Sequence, residues 1–432
     1  MMRFKATLLA LLFAPLFATH ADDEENEWTR FRGPNGSGIS GAQSIPVKWT
    51  AKEYNWTIEL PGDGSSSPVV WKEKLFVTCN DRKKSIRSVV CVNANDGKIH
   101  WRQDFPYTSY RMHRDNDFAS ATPTVDADGV VVVWSMPKQL LMLAVDLEGK
   151  ELWRRDLGPY VGIHGSASSP IIADGLVILA NDQMDPKVMK RFLPRDASMV
   201  PEKSFLIAVD RMTGKTRWKI DRRTVLAGYS TPCVRQTGGD GPELVFSGTA
   251  HGMTGVDLAT GKINWEIKGI LNSRVVGSPQ LYQDLVFGSY GSGLSAQRLV
   301  AVRAPRKGGV KKPKVAYNVS QSPPLVPSCL IKDDLLFLWT DSGIVSCLDA
   351  ATGKRHWRER VGGNYYCSPV WIDGRLYCTS KEGDVVVVAA DKTFKLLAKN
   401  PLGEKSFAIP AVAHGVMYQR TQTKLFSLGG KN

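Results

Sequence analysis

A nine-residue unit that runs from Asp to Trp recurs along this chain and restricts its fold more than any other feature. One copy is Asp349-Ala-Ala-Thr-Gly-Lys-Arg-His-Trp357. Copies of the same length end at Trp218, Trp265 and Trp101, the last with Asn in place of Asp, and a copy that ends at Trp153 is one residue shorter. The Gly lies where a tight turn needs a positive φ, and the Asp can accept hydrogen bonds from the turn backbone. The unit therefore predicts a strand, a turn and a second strand that begins with a large aromatic residue.

A second mark, small residues followed by Pro, precedes these units. Its prolines are Pro68, Pro123, Pro170, Pro232, Pro279, Pro369 and Pro410, with Pro327 as a weaker match. Successive prolines are 41 to 62 residues apart. Repeats of this size with several short strands are typical of a β-propeller. The small residues suit an inner strand, because eight blades that converge on an axis leave little room for side chains.

Four strands are predicted in one repeat, and the last repeat has only three before the chain ends. The four in the third repeat are residues 168–173, 176–180, 205–209 and 218–221. The missing strand of the last repeat is predicted near the N-terminus, where Trp56 opens a segment of the fourth-strand form that leads into Pro68. We therefore expect an all-β, eight-bladed propeller whose ring is closed by the N-terminal strand in the C-terminal blade, without a free sheet edge.

Two repeats depart from the pattern. Between residues 277 and 322 the Asp-to-Trp unit is absent, and a basic loop follows the apolar run 299–302. The seventh repeat keeps the turn in residues 391–395 but has no Trp. The expected domain order is a signal peptide at residues 1–21, a lead-in at 22–46 and the propeller at 47–429.

The N-terminus has the form of a secretory signal peptide. Arg3 and Lys5 precede an apolar stretch, and small residues end at Ala21, where we expect cleavage. The apolar stretch is short and contains Pro15, which disfavours a membrane anchor. We expect a periplasmic or secreted monomer without a membrane span.

The basic excess is concentrated in two segments, residues 187–203 and 303–314. These are either solvated loop tips or a contact surface for an acidic surface or polymer. No nucleic-acid motif is visible, and a nucleic-acid partner does not suit an exported chain. Cys79 and Cys91 flank a predicted hairpin connection and could form a disulfide, and the other five Cys have the pattern of small buried residues.

The repeated unit resembles the pyrrolo-quinoline quinone (PQQ) repeat of quinoprotein-type eight-bladed propellers. The resemblance covers about residues 28–429, and the opening Trp28-Thr-Arg-Phe-Arg-Gly-Pro-Asn-Gly-Ser-Gly38 is similar to the lead-in of secreted PQQ-like bacterial propellers. The family implies the fold. It includes PQQ-dependent alcohol dehydrogenases and also non-catalytic propellers such as the outer-membrane assembly lipoprotein of Gram-negative bacteria.

The resemblance to the dehydrogenases implies features that this sequence lacks. Those enzymes are expected to have adjacent cysteines, a Ca²⁺ ion held by oxygen ligands and an Asp base, whereas the seven Cys here are all separated and no acidic cluster stands out. We therefore predict no catalytic residue, no metal site and no cofactor. The alternative is a small PQQ-dependent quinoprotein oxidoreductase with PQQ and Ca²⁺.

A binding site is predicted at the mouth of the central channel. The residues just before each inner strand converge there, because the connections between blades lie on one face of a propeller. A mixture of charged, His and Tyr side chains suits a pocket for a small ligand or for protein partners; the alternative is a solvated funnel of loop residues. The candidate ligand-binding residues are His113, Arg114, Asp115, Asn116, His164, Tyr229, Arg274, Asn364 and Tyr365.

Overall fold

Eight sheets arranged as the blades of a propeller make up the fold. The computed structural model describes residues 27–430 except 111–112, 114, 137, 163, 189–202, 240 and 293–294. Within that part of the chain, seven sheets have four strands and one has five. Each blade is an antiparallel meander whose first strand lies on the channel and whose fourth lies at the rim. The predicted eight-bladed β-propeller is confirmed.

The strand bounds follow the order of the chain. Before blade 1 come two 3₁₀ turns and two strands: Pro34–Gly36, β1 (Ile39–Ser40), Ala51–Glu53 and β2 (Tyr54–Glu59). Blades 1 to 4 contain β3 (Val69–Trp71), β4 (Lys74–Asp81), β5 (Ile86–Asn93), β6 (Ile99–Pro106); β7 (Thr124–Asp126), β8 (Gly129–Met136), β9 (Gln139–Val145), β10 (Glu151–Asp156); β11 (Ile171–Ala173), β12 (Leu176–Asn181), β13 (Ser204–Asp210), β14 (Thr216–Arg222); β15 (Cys233–Gln236), β16 (Pro242–Gly248), β17 (Gly252–Asp257) and β18 (Ile263–Ile267). Blades 5 to 8 contain β19 (Gln280–Tyr282), β20 (Leu285–Ser292), β21 (Ser295–Arg303), β22 (Lys314–Val319); β23 (Leu330–Lys332), β24 (Leu335–Trp339), β25 (Ile344–Asp349), β26 (Arg355–Arg360); β27 (Val370–Ile372), β28 (Arg375–Thr379), β29 (Asp384–Ala389), β30 (Leu396–Pro401); β31 (Ala411–Ala413), β32 (Val416–Arg420) and β33 (Lys424–Gly429).

The ring closes by pairing the two ends of the chain. Strand β2 runs antiparallel to β33, with Thr57 opposite Phe426 and Glu59 opposite Lys424. It is the outer strand of blade 8, whose other strands come from the C-terminus. The predicted closure by the N-terminal strand is thereby confirmed, and the exposed edge that β33 would present is covered.

Every outer strand contains a β-bulge one residue before the position of the repeated Trp. In blade 3, Trp218 pairs with Ala208 and Thr216 with Val209, so that Arg217 is the extra residue. Bulges twist an edge strand and interrupt its ladder, which blocks edge-to-edge association. The predicted start of this strand at Trp218 is therefore two residues too late. The bulge residues of the eight blades are Asn55, His100, Leu152, Arg217, Asn264, Ala316, His356 and Leu397.

The repeated Trp of one blade packs on the Gly turn of the next blade. The indole N–H of Trp218 donates to the carbonyl oxygen of Leu258 at 2.9 Å. A Cβ at Gly261, which has φ +74°, would lie 2.7 Å from the same ring, so that only Gly fits under the aromatic face. In blade 5, Tyr317 occupies the Trp position and donates to Ala350 of blade 6 at 2.6 Å. The repeat that had lost its Trp in the sequence thus keeps the same contact through another aromatic residue.

A ring of Ser and Thr side chains joins the inner strands around the channel. Each hydroxyl oxygen accepts the main-chain N–H of the equivalent residue in the preceding blade; for example, the N–H of Thr231 donates to Ser278 at 3.0 Å. The small residues are therefore selected for a hydrogen bond as well as for size. The members of this hydroxyl ring are Ser67, Thr122, Ser169, Thr231, Ser278, Ser328 and Ser368.

The hydroxyl ring corrects two sequence predictions. The N–H of Ser169 donates to Thr231 in the next blade rather than to a strand, and Pro170 has no N–H, so the inner strand begins at Ile171 and not at residue 168. In blade 6 the ring residue is Ser328, which places Cys329 at the usual Pro position. Pro327 is consequently not the equivalent of the other prolines.

Residues 28–38 cross the channel at the end opposite to the connections between blades. This plug pairs Trp28 with Val70 of blade 1, and β1, which follows it, runs parallel to β27 of blade 7. The side chain of Asn35 makes two hydrogen bonds with the backbone of Val234 in blade 4. The plug thereby ties together blades that are distant in sequence and closes one end of the channel.

The disulfide between Cys79 and Cys91 that the sequence allows does not form in the structure. The two residues do not face each other, because Cys79 pairs with Ser88 and Cys91 with Phe76, and both thiols are free. They belong to different hydrophobic clusters on the two faces of blade 1. All seven Cys are buried, as the sequence predicted for the other five.

Candidate functional site: a blind pocket at the channel mouth

The open end of the channel forms a pocket of about 600 Å³. Its walls come from the connections between blades, as predicted, and also from turns between the second and third strands of several blades, because both kinds of connection lie on one face. The lining residues are His113, Asp115, Asn116, His164, Ala167, Tyr229, Arg274, Val276, Gln297, Leu325, Val326, Asp341, Asn364, Tyr366 and Lys381.

Seven of the nine residues predicted from the sequence line this pocket: His113, Asp115, Asn116, His164, Tyr229, Arg274 and Asn364. Arg114 lies outside the described residues. Tyr365 is not in the lining; its side chain is 1% exposed and packs edge-on against Trp339, with ring centroids 5.3 Å apart. The neighbouring Tyr366 takes its place in the wall, since consecutive side chains of an extended segment point in opposite directions.

Arg274 and His164 are joined by a hydrogen bond in the wall of the pocket. The Nη1 group of Arg274 donates to Nε2 of His164 at 3.0 Å, which requires a neutral His ring with its proton on Nδ1. Burial and the nearby charge of Arg274 lower the pKa of His164 to about 4. Among the described residues, no carboxylate lies within ion-pair distance of Arg274. The pocket therefore contains a guanidinium whose charge is not balanced by any carboxylate in the part of the chain that the structure describes.

Aromatic rings continue from His164 along one wall. The His113 ring lies with its centroid 4.6 Å from that of His164, and Tyr229 meets His164 edge-on at 6.0 Å. Burial raises the pKa of Tyr229 to about 12, so its hydroxyl stays protonated at neutral pH. This wall offers flat, rigid surfaces against which a planar or apolar part of a ligand can stack.

Asp115 connects opposite sides of the mouth. Its carboxylate accepts hydrogen bonds from Lys381 and from the hydroxyl of Tyr366, both at 3.0 Å. Burial alone would raise the pKa of Asp115, but these hydrogen bonds and the charge of Lys381 lower it. The Lys381 ammonium also lies 4.2 Å from the centroid of the Tyr366 ring. The three groups form a fixed charge-paired bridge.

Asp341 and Lys381 belong to the site but were not predicted, because only the connections between blades were considered as wall residues. Both lie in turns between the second and third strands, which end on the same face. Asp341 accepts hydrogen bonds from the N–H groups of Leu325 and Val326 at 2.9 and 3.1 Å, and burial raises its pKa. The order of the strands contains the signal for these turns. In a four-stranded meander, the connection between the second and third strands lies on the same face as the connection to the next blade.

Below the pocket lies an inner chamber of about 150 Å³. Its walls include five members of the hydroxyl ring, Ser67, Thr122, Ser169, Ser328 and Ser368, and the plug residue Phe31 also lines it. Since the plug crosses the channel at that end, the channel is a blind pocket rather than a passage.

The lining does not fit the calcium centre that the dehydrogenase resemblance implies. In the part of the chain that the structure describes, no group of three or more His, Cys, Asp and Glu side chains is placed to hold a metal ion. The carboxylate of Asp115 is already engaged by Lys381 and Tyr366, and that of Asp341 by two backbone amides. Ca²⁺ needs six or more oxygen ligands, and the pocket does not present them. We therefore derive no reaction step through PQQ and Ca²⁺.

Comparison with known proteins adds a family. The family model described as outer membrane protein assembly factor BamB matches residues 49–189, 319–396 and 341–427, more than half of the chain. Curated protein sequences contain no significant match. Over the described residues, no helix is long and apolar enough to cross a membrane.

Solved structures with the same architecture include a BamB protein, an alcohol dehydrogenase and a computational design. BamB from Moraxella catarrhalis is 14% identical, with 87% of this chain and 97% of that chain covered and a TM-score of 0.60. Quinohemoprotein alcohol dehydrogenase from Comamonas testosteroni is 12% identical, with coverages of 95% and 81% and a TM-score of 0.65. The computationally designed Ika8 protein is 11% identical, with coverages of 86% and 98% and a TM-score of 0.58. At these identities the likeness concerns the fold alone.

Proposed function

Because the chain belongs to the family of outer membrane protein assembly factor BamB, we propose that it acts as a non-enzymatic binding or assembly scaffold at the channel face. The family model matches repeats on both sides of the ring closure, including β2 and most of β33. The name of that family describes assembly of outer membrane proteins, and protein partners are accordingly the first class of ligand to consider here. A small ligand in the pocket is the second.

One observation carries the proposal: the mouth is a rigid, blind pocket with binding groups that the protein itself leaves unsatisfied. Among the described side chains, Arg274 has the neutral His164 as its single hydrogen-bond acceptor. The walls come from different blades and are held by strands, so the groups are positioned before a ligand arrives. Apolar residues such as Val276 and Leu325 alternate with the polar ones, as in sites for peptides and small molecules.

The proposal places the mature chain outside the cytoplasm, in the periplasm or beyond, after cleavage near Ala21. It acts as a monomer, since the bulges on the outer strands discourage association between blades of different copies. The basic loop at residues 303–314 is a secondary contact for acidic surfaces; most of the other basic segment, residues 187–203, lies outside the described residues. A PQQ-dependent oxidoreductase remains the alternative, and the lining groups described above do not favour it.

Site-specific cross-linking tests the proposal. A photoreactive residue at Asn364, which is exposed on the rim of the pocket, should capture a partner in cells that export the protein. The same residue at His356, exposed on the outer strand of blade 6, is the matched control and should capture none.

The Arg274→Ala variant decides whether captured material is specific. Loss of the Asn364 cross-link in that variant, with an unchanged thermal unfolding midpoint, supports binding at the mouth. Equal cross-linking from Asn364 and His356, or cross-linking that persists in Arg274→Ala, would contradict it.

A further inference from the structure

The hydroxyl ring presents a set of unused hydrogen-bond donors to the inner chamber. Each ring oxygen accepts one N–H, as Thr122 does from Ser67 at 3.0 Å and Ser169 does from Thr122 at 3.0 Å. Within the described part of the chain, none of these O–H groups donates to a protein acceptor. A Ser or Thr hydroxyl carries one proton to donate in addition to its acceptor sites. The five ring residues in the chamber wall are each 2% exposed, so their O–H groups are free to turn toward this small common volume and are shielded from open solvent.

Two buried guanidinium groups lie just behind this ring, on the side of the plug. Arg30 is 6% exposed and donates to the carbonyl of Pro232, which follows the ring residue Thr231. Arg32 is 0% exposed and donates to Cys329 at 3.2 Å and to Ser328, itself a ring residue, at 3.4 Å. Burial lowers the pKa of both to about 10, so both carry a charge at neutral pH.

The charges of Arg30 and Arg32 are hydrogen-bonded but not neutralised. Their described acceptors are neutral carbonyl oxygens, and no described carboxylate is within ion-pair distance of either. The one carboxylate in the chamber wall, Asp115, is paired with Lys381 at 3.0 Å. Uncompensated charges in a low-dielectric interior act over longer distances than in water, and a blind cleft concentrates their field. Arg30 and Arg32 therefore contribute positive charge at the plug end of the chamber, while the buried carboxylate of Asp117 accepts hydrogen bonds from the wall residues Ser65 and Ser120.

We propose that the inner chamber binds a carboxylate group, which accepts hydrogen bonds from the ring hydroxyls and is stabilised by the field of Arg30 and Arg32. A space of about 150 Å³ admits a group of only a few heavy atoms. The carboxylate is supplied by a small organic acid or by the end of a peptide that occupies the outer pocket. If the carboxylate belongs to a peptide, the chamber is part of the proposed scaffold site, and this inference then rests on the proposed function. If it belongs to a small acid, the inference is independent of that function.

The eighth blade provides the sharpest test, because its ring position is Ile409. The N–H of Ile409 donates to the hydroxyl oxygen of Ser67 at 3.0 Å, as in the other blades, but the side chain of Ile409 has no hydroxyl group. Ile409→Thr should supply the eighth hydroxyl, and Ile409→Val, which has the same shape as Thr without the oxygen, is the matched control. A hydrogen bond to a charged group corresponds to about tenfold in affinity or more. We therefore expect Ile409→Thr to bind formate about tenfold more tightly than Ile409→Val does.

The measurement is a titration of the full mature chain with ¹³C-labelled formate, followed by NMR line width, with neutral formamide as the control of the same shape. The intact protein should bind formate saturably and formamide not at all. Thr122→Val, which removes one O–H, should weaken formate binding by about tenfold. Thermal unfolding of each variant establishes that the fold is retained. Equal binding of formate and formamide, or no difference between Ile409→Thr and Ile409→Val, would overturn the proposal.

Competition separates the two sources of the carboxylate. A short apolar peptide with a free C-terminus that displaces formate, while its amidated form does not, identifies a peptide end as the ligand. Formate binding that neither peptide displaces still supports the carboxylate site and assigns it to a small acid. In that second case the proposed scaffold function is judged by the Asn364 cross-link alone, so the two proposals can fail separately.

Discussion

Trp101 of blade 1 donates its indole N–H to the carbonyl oxygen of Leu147 in blade 2, at 2.9 Å. The same ring covers Gly149 in the turn of the repeated unit, where a Cβ would lie 2.8 Å from it. The turn and the Trp therefore belong to one contact that spans two blades. Each turn is matched to the Trp of the preceding unit, which explains why the seventh repeat keeps the turn that meets Trp357 although it has no Trp of its own.

The first prediction concerns this contact in blade 3. Trp218→Ala should lower the free energy of unfolding by about 3–5 kcal/mol, the range for truncation of a buried aromatic residue. Arg217→Ala, at the exposed bulge one residue earlier, is the control and should change it by no more than about 0.5 kcal/mol. Denaturant unfolding of the two variants measures both values. A cost below about 1 kcal/mol for Trp218→Ala would mean that the ring does not hold the blades together.

The second prediction concerns the closure of the ring. Removal of residues 22–61 deletes the plug and β2, which exposes the edge of β33. We expect a large fall in the thermal unfolding midpoint and association of the truncated protein through the exposed edge. Differential scanning calorimetry and light scattering measure these effects. Unfolding of the truncated chain at the temperature of the intact one, without association, would contradict the role of β2.

The sequence predicted the fold well because the signals are local and repeated. The turn of the Asp-to-Trp unit needs a Gly and an Asp regardless of its neighbours, and Asp349 does accept the N–H of Thr352 at 2.9 Å. The Tyr317 contact was missed because an aromatic residue in an irregular repeat is recognised only when its partner turn, here at Ala350, is known. The hydroxyl ring was missed for the same reason, since six of its seven bonds join residues about one repeat apart and the seventh joins Ile409 to Ser67 across the ring closure.

The site was predicted only in part, since the order of the chain indicates which loops share a face but not which side chains point inward. Tyr365 and Tyr366 are equivalent in sequence, and only packing against Trp339 makes the first a core residue. Lys381 reaches Asp115 across 266 positions of the chain, a pairing without a local signal. The sequence shows the plug only as a lead-in to the propeller. Its place in the channel depends on distant contacts, such as those of Arg32 with carbonyl groups of blade 6.

The third prediction concerns pH. The pKa of His164 is about 4 in the folded protein and 6.5 in the unfolded chain, so the unfolded state takes up the proton first as the pH falls. This group's contribution to stability is therefore present above pH 6.5 and is lost progressively between pH 6.5 and 4. His164→Gln, which cannot titrate, should lack that loss. The comparison is a pH series of unfolding free energies for the two proteins.

The quantity to examine is the difference in unfolding free energy between the wild-type protein and His164→Gln at each pH. The wild-type profile alone is not enough, because Asp182 changes the stability with pH in the opposite direction. Burial raises the pKa of Asp182 from 3.8 to about 6, so its contribution is present below pH 3.8 and is lost as the pH rises to 6. Subtraction of the His164→Gln profile cancels this contribution, which both proteins share. A difference that stays constant between pH 7 and pH 4 would show that His164 does not titrate as its contacts require.

The fourth prediction concerns the cofactor of the alternative function. PQQ with Ca²⁺ should bind only weakly and should support no alcohol-dependent reduction of a dye, because the carboxylates of Asp115 and Asp341 are already engaged. A titration followed by Trp fluorescence, with Ca²⁺ alone as the control, measures binding, and a dye assay measures turnover. Micromolar binding together with turnover would favour the oxidoreductase.

The last prediction separates the mouth from the basic loop. Lys311, Lys312 and Lys314 are exposed in or beside the turn between β21 and β22, and such turns lie on the plug face, opposite to the pocket. Their charges act through solvent, where salt screens them over about 8 Å at physiological ionic strength. Arg274 instead lies in a pocket with fixed donors and apolar walls. Arg274→Ala should therefore weaken partner binding at all salt concentrations without a change in stability, whereas replacement of the three lysines by Gln should weaken it mainly at low salt. The measurement is the affinity of each variant for the partner that is cross-linked at Asn364, at low and at physiological salt. If Arg274→Ala binds normally and the lysine variant loses all binding at physiological salt, the site lies on the basic loop and not in the pocket.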